Sequence, residues 1–396
     1  MSNKVILAFS GGLDTSYCVK YLANDLNLEV HAVLVNTGGF SPAELKEVEE
    51  TAISLGVFSF IALSKVEEYY QKVIKYLIFG NVLKNNTYPL SVSAERTVQA
   101  VAIAEYANKL GARYIAHGST GAGNDQVRFD LVFQTLAPNC EIITPIRDLQ
   151  LSREQEIDYL NSCGVEASWE KSKYSINKGL WGTSVGGVET LTSNTPLPEE
   201  AWPSQLEENG SEQISIEFKK GEPIGINDKI LGAVKTIEAL NALGGSYAIG
   251  RDIHIGDTII GIKGRVGFEA PGALMIIKAH HSLEKHTLSK WQLNYKEQLS
   301  SWYGMLLHEA RYLDPAMRNI EAFLTDSQQQ VTGSVKLSLA PYRFTIDGID
   351  SSNDLMTNDF GAYGEMNKAW SGDDVKGFTK VMATQHQIFN HITSKK

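Results

Sequence analysis

Two glycine-rich loops hold the groups in this chain best suited to chemistry. The first is Ala8-Phe9-Ser10-Gly11-Gly12-Leu13-Asp14-Thr15-Ser16. An apolar run at 5–9 reads as a buried strand, the glycines as a turn, and Asp14-Thr15-Ser16 as the opening of a helix. Free backbone N–H groups and the helix dipole make such a turn an anion site. The glycines let the main chain approach a phosphate, and Ser10, Thr15 and Ser16 add hydroxyl donors. A mononucleotide P-loop would need Gly-Lys-Ser/Thr, and the chain has no Gly-Lys dipeptide. The second loop runs from His117 to Phe129, with Gly118, Gly121 and Gly123 close together. Thr120, Asn124, Asp125 and Arg128 supply the donors and acceptors of a polar small-molecule site. The planar fork of Arg128 suits a carboxylate or a phosphate. His117 borders the loop, either to help neutralise phosphate or to support the structure.

The elements that must position these loops alternate. Apolar strands are expected at 5–9, 29–35, 58–63 and 112–116, and helices at 13–25, 42–55, 66–79 and 94–110. That alternation predicts right-handed βαβ units and a parallel sheet, with ligands at the carboxyl ends of strands. Both loops sit at such ends. From about Trp169 the character changes. Residues 171–204 read as an ordered loop region and 213–269 as short strands broken by one helix near 235–243. One long helix is expected over 282–308, then a strand pair at 331–339 and 342–347. The fold class is therefore α/β: an N-terminal parallel-sheet nucleotide-binding domain (1–168), a second α+β domain (169–362), and a C-terminal helical segment (363–396). The final helix, 372–394, carries Val375, Phe378, Val381, Met382, Phe389 and Ile392 on an apolar stripe. Such a stripe needs a partner, either its own domain or a second subunit.

Bulk properties narrow the function. With 396 residues the chain exceeds one ordinary core. A net charge of −10 argues against a broad nucleic-acid surface. Cys18, Cys140 and Cys163 form no CxxC pair, which fits reduced thiols and a cytoplasmic location. No signal peptide and no apolar run near the length of a membrane span are expected. His280, His281 and His286 fit no zinc spacing.

Ser10-Gly11-Gly12-Leu13-Asp14-Thr15-Ser16 resembles the pyrophosphate-binding loop of enzymes that cut ATP between its α- and β-phosphates. Together the two loops resemble the argininosuccinate synthase family. So do Tyr88-Pro89-Leu90-Ser91-Val92-Ser93, Leu136-Ala137-Pro138, Phe218-Lys219-Lys220-Gly221 and Gly250-Arg251. The resemblance covers nearly the whole chain. It implies an ATP-dependent ligase joining citrulline to aspartate through a citrullyl-adenylate, with release of AMP and pyrophosphate. It also implies Mg²⁺ on the phosphates, with no protein ligand other than Asp14, and a homotetramer. Asp14 either reaches that Mg²⁺ or only caps the helix.

The resemblance further implies which residues bind. ATP falls to Ala8, Phe9, Ser10, Gly11, Gly12, Leu13, Asp14, Thr15, Ser16, Val35 and Gly118. Aspartate falls to Thr120, Asn124 and Asp125. Citrulline falls to Tyr88, Ser93, Asn124, Arg128, Ser175 and Ser184. Arg96 reads as a residue that pairs with a carboxylate or, more simply, as a surface salt-bridge residue, and Trp181 as a wall or core residue. One segment departs from the family pattern. Gly256 stands where much of the family has a citrulline-contacting glutamate, and Phe268 where it has a tyrosine. Asp257 and Glu269 are the candidate replacements for that glutamate. Three alternatives stay open: a ligase of the same group with another amino-acid substrate, a tRNA-thiolating enzyme, and a nucleotide-binding sensor.

Overall fold

The structure, a computed structural model, describes residues 3–165, 173–357, 360, 361, 363 and 369–395. Strands β1 (Lys4–Ala8), β2 (Glu29–Asn36), β3 (Ser59–Ser64), β4 (Tyr114–Ala116) and β5 (Glu141–Ile143) form an all-parallel sheet. Their order is β3-β2-β1-β4-β5. Both faces of β1 are covered, as a central parallel strand requires. Val5 and Leu7 enter a core with the helix Leu13–Asn24, while Ile6 enters the opposite core with the helices Ser91–Leu110 and Asp125–Leu136. The chain winds outward from β1 to β3 and returns at β4. The loops after β1 and β4 therefore diverge at a topological switch point and leave a crevice there.

The remaining strands are antiparallel. β6 (Ser175–Gly179), β7 (Gly182–Gly186), β11 (Arg251–Asp257) and β12 (Lys263–Glu269) form one sheet, ordered β11-β12-β7-β6. β8 (Glu212–Lys219), β9 (Glu222–Ile226), β10 (Lys229–Ile230), β13 (Gly333–Ala340) and β14 (Arg343–Asp350) form another. The helices Ala233–Ser246, Pro271–Thr287, Lys290–His308 and Pro315–Ser327 pack with them around Trp181, Phe268 and Tyr303, all fully buried. Trp181 is thus core, and its indole N–H donates to the Pro89 carbonyl at 3.0 Å.

Several local expectations are corrected. The expected loop at 171–204 contains the β6–β7 hairpin, whose strands are too rich in Gly, Ser and Thr to show apolar alternation. β12 supplies the missing partner, pairing Ser184 with Phe268. The expected helix over 282–308 is two helices, because Leu288 is extended and Ser289 opens a capping box with Gln292. The helix at 66–79 carries a π-helical turn over Tyr70–Ile74. Helices Asp125–Leu136, Arg153–Ser162 and Pro315–Ser327 and strand β5 were not expected from the sequence.

Residues 1–352 form one body and residues 353–396 a second. In the second, the helix Gly372–Thr393 opens with a Ser371–Asp374 capping box. Its Phe378, Val381, Met382 and Phe389 side chains are exposed. Among the described residues no helix is long and apolar enough to cross a membrane.

Candidate active site

The switch-point crevice opens into a cavity of about 1080 Å³. That exceeds the usual range for one small ligand, about 300–1,000 Å³, so it can hold a nucleotide with further substrates. Ala8, Phe9, Ser10, Gly12, Leu13, Asp14 and Thr15 line it from the first loop. Gly11 makes the turn instead of the wall: its φ is +80°, where a side chain is strained, and a Cβ there would lie 3.3 Å from Val48. Gly12 is the helix N-cap and has no side chain to cap the first-turn N–H groups, which leaves them to an anion. Thr15 donates its hydroxyl to the Gly12 carbonyl at 3.1 Å and lies 3.3 Å from the Ser10 hydroxyl. Ser16 is placed differently from Ser10 and Thr15. Its hydroxyl is buried and donates to the Gly12 carbonyl at 2.8 Å, so it offers nothing to the cavity.

Asp14 pairs with the buried Glu156. Burial and the neighbouring Asp14 charge push the Glu156 carboxyl well above the usual carboxylate range. One Glu156 oxygen has no hydrogen-bond partner. With its pKa raised, Glu156 keeps its proton near neutral pH, and the pair offers a cation at most one carboxylate charge. No cluster of three or more potential metal ligands occurs among the described residues.

The second loop meets the first directly. A Cβ on Gly118 would lie 3.2 Å from Asp14, so a larger residue there would press the two loops apart by a few tenths of an ångström. His117 is buried and spoken for. Its Nδ1 accepts from the Ser119 N–H at 3.2 Å, and its Nε2 lies 2.9 Å from Asp130. It holds the loop in place and turns no free nitrogen toward the cavity. Val35 lines the cavity from the end of β2.

Next to the second loop stands a charged cluster. Asp125 is bound by Arg96 Nε at 3.0 Å and by Arg128 Nη1 at 3.0 Å. Burial alone would raise the Asp125 carboxyl, but the two guanidiniums outweigh it and hold it below the usual range. Arg96 is therefore no surface residue: it also donates to Asn177 at 2.7 Å and Gln99 at 2.9 Å. The Arg128 Nη2 donates to Ser93 Oγ at 2.8 Å and to the His308 carbonyl at 3.3 Å. Arg128 is buried, and its Nε has no partner. Asn124 receives the Ile259 amide N–H on its side-chain oxygen at 2.8 Å, which ties the second loop to the segment after β11. The Tyr88 hydroxyl accepts from the Val92 N–H at 3.1 Å. Tyr88, Ser93, Thr120, Ser175 and Ser184 all line the same cavity.

In the departing segment, Phe268 is fully buried and packs on Tyr88, with ring centres 5.3 Å apart; it is not on the cavity wall. Of the two candidate replacements for the family glutamate, Asp257 lines the cavity and Glu269 does not. Asp257 pairs with Lys263 at 2.6 Å, and Glu269 is buried against Arg251 at 3.1 Å. Gly256 does line the cavity, beside His254 and His308. His308 Nε2 lies 3.1 Å from the Asp257 carbonyl, so that nitrogen carries the proton, and Nδ1 faces Ser93 and Arg128. Burial, reinforced by Arg128 and Lys84, pushes His308 down to about 4.

Comparison with known proteins settles the family. The model described as "Arginosuccinate synthase N-terminal HUP domain" matches residues 4–166, and "Arginosuccinate synthase C-terminal domain" matches 174–389. The argininosuccinate synthase of Methanocaldococcus jannaschii is 37% identical over 392 residues, 98% of each chain. That of Dictyoglomus turgidum is 37% identical over 390 residues, 98% of this chain and 97% of its own. The chain belongs to the argininosuccinate synthase family. The Xanthomonas axonopodis pv. citri member is 34% identical over 400 residues, so the likeness extends across distant organisms at full length.

Family membership accords with the geometry: the two loops that carry the sequence resemblance face one another across the switch point. The sequence reading missed Glu95, His254 and His308, all on the cavity wall. Glu95 and His308 carry no local signature, because they reach the site from the interior of one helix and the end of another. His254 sits inside the segment already marked as departing from the family.

Proposed function

We propose that this chain joins citrulline to aspartate with ATP, forming argininosuccinate, AMP and pyrophosphate in arginine biosynthesis. The carrying observation is the contact of the two glycine-rich loops at the switch point, beside the Asp125–Arg128 pair. A phosphate site and an amino-acid site thereby share one cavity. The ureido oxygen of citrulline attacks the α-phosphorus and pyrophosphate leaves. The aspartate amine, having lost a proton, then attacks the ureido carbon, and AMP departs with the oxygen. A ureido carbon is a poor electrophile, so adenylation creates the leaving group, and the protein's work is positioning and charge neutralisation.

In this reading the first-turn N–H groups, Gly12, Ser10 and Thr15 hold the pyrophosphate. Mg²⁺ accompanying ATP would neutralise phosphate charge, and Asp14 is the protein carboxylate that would hold it. Thr120, Asn124 and Asp125 bind aspartate; Tyr88, Ser93, Asn124, Arg128, Ser175 and Ser184 bind citrulline. Residues 1–168 form the ATP-binding part, 169–362 the amino-acid part, and 363–396 an oligomerisation segment whose exposed apolar stripe supports a homotetramer. A cytoplasmic location fits unpaired cysteines. The test is isotopic. Citrulline labelled with ¹⁸O in its ureido group should pass the label to AMP; label that stays out of AMP would rule out the adenylate.

A further inference from the structure

The amino-acid end of the cavity contains a histidine with a buried nitrogen that no hydrogen bond accounts for. His254, on β11, is only 7% exposed, yet its Nδ1 is sealed from water without a hydrogen-bond partner. Its ring stacks on Tyr88 with centres 5.0 Å apart, which fixes its plane. Its Nε2 lies against the space above Gly256: a Cβ there would fall 2.7 Å from it. Glycine at 256 and the present position of the His254 ring thus go together, since a larger residue at 256 would require the imidazole to move off Tyr88.

The proton position follows from the surroundings. Burial, reinforced by Lys84, lowers the His254 pKa, so the ring is neutral at pH 7 and keeps one proton. A sealed N–H without an acceptor is the rarer kind of orphan, and a bare lone pair is tolerated better. The proton therefore belongs on Nε2, as a donor directed at the space above Gly256. The nearby charges agree. Arg128 and Arg265 line the same cavity, and Lys84 acts on both His254 and His308. The carboxylates on this part of the wall already have partners: Asp257 pairs with Lys263, Asp125 with Arg96 and Arg128, and Glu95 with Thr37 and Arg96. Such a surface attracts an acceptor and offers a substrate ammonium no carboxylate that is not already paired.

We propose that His254 is a specificity-determining residue that donates Nε2–H to the α-carboxylate end of the ureido substrate, so that this pocket does not read the substrate's α-ammonium. The proposal rests on the ligase reading and refines its citrulline subsite.

The experiment compares citrulline with 5-ureidopentanoate, the same skeleton without the amine, in pyrophosphate release with ATP and aspartate. The wild type should use the amine-free analogue with kcat/KM within about tenfold of citrulline. His254→Ala should raise KM for both compounds at least tenfold, with kcat and the KM for ATP little changed. His254→Gln, whose side-chain amide can place an N–H near the Nε2 position, should recover most of that loss and also guards against a folding defect. A loss above a hundredfold on removing the amine, or an unchanged KM in a folded His254→Ala, would overturn the proposal while leaving the ligase reading intact. No turnover of citrulline by the wild type would overturn both.

Discussion

Arg128→Ala separates the two halves of the cavity. The Arg128 guanidinium bridges Asp125, Ser93 and the His308 carbonyl, and none of its hydrogen bonds reaches the first loop. A hydrogen bond to a charged group contributes about 1.5–3 kcal/mol. Losing one or two such bonds to a substrate carboxylate removes about 3 kcal/mol, roughly a hundredfold in affinity. Asp125 keeps Arg96 at 3.0 Å, so the variant retains a paired carboxylate and should fold. The expected outcome is a KM for citrulline up by about a hundredfold or turnover below detection, with ATP affinity within about threefold of wild type. Steady-state pyrophosphate release gives the first quantity and calorimetric ATP binding the second. Equal loss of ATP binding and turnover, in a protein whose thermal transition is unchanged, would refute the division of the cavity into a phosphate end and an amino-acid end.

Further outcomes follow from the same geometry. Gly11→Ala forces a side chain to φ +80° and should cost on the order of 1 kcal/mol of stability, read by urea denaturation. Gly118→Ala places a methyl 3.2 Å from Asp14 and should raise KM for ATP more than Gly11→Ala does; the reverse order would contradict direct contact of the loops. His308 is held down to about 4, below its ordinary 6.5, so the unfolded chain takes up a proton first as pH falls. Its contribution to stability is present above about pH 6.5 and is lost toward pH 4, about 2 kcal/mol between pH 7 and pH 5. His308→Gln should flatten that part of the pH dependence in denaturant titrations. Burial also raises the Cys18 thiol, so alkylation of the native protein followed by mass spectrometry should modify Cys163 and spare Cys18.

Much of the phosphate end was legible because its determinants are local. A strand, two glycines and three hydroxyls within one turn identify an anion site without tertiary information. Even there the direction of the Ser16 hydroxyl is not legible, because helix geometry turns it back to the Gly12 carbonyl. The parallel sheet was legible from apolar runs such as Glu29–Asn36, whereas the β6–β7 hairpin was not. Its Gly-, Ser- and Thr-rich strands are held by pairing with β12, more than seventy residues away. The amino-acid end was legible only in part for the same reason. Arg96 looks like a surface arginine in sequence, but the fold brings Asp125, Asn177 and Gln99 around it.

The central claim is that both amino acids must be present before ATP is fully consumed. The most direct measurement is pyrophosphate release from ATP and Mg²⁺, with citrulline and aspartate added singly and together. The account predicts sustained release, matched by AMP and argininosuccinate, only with both. ATP binding without release above background when both are present would contradict it.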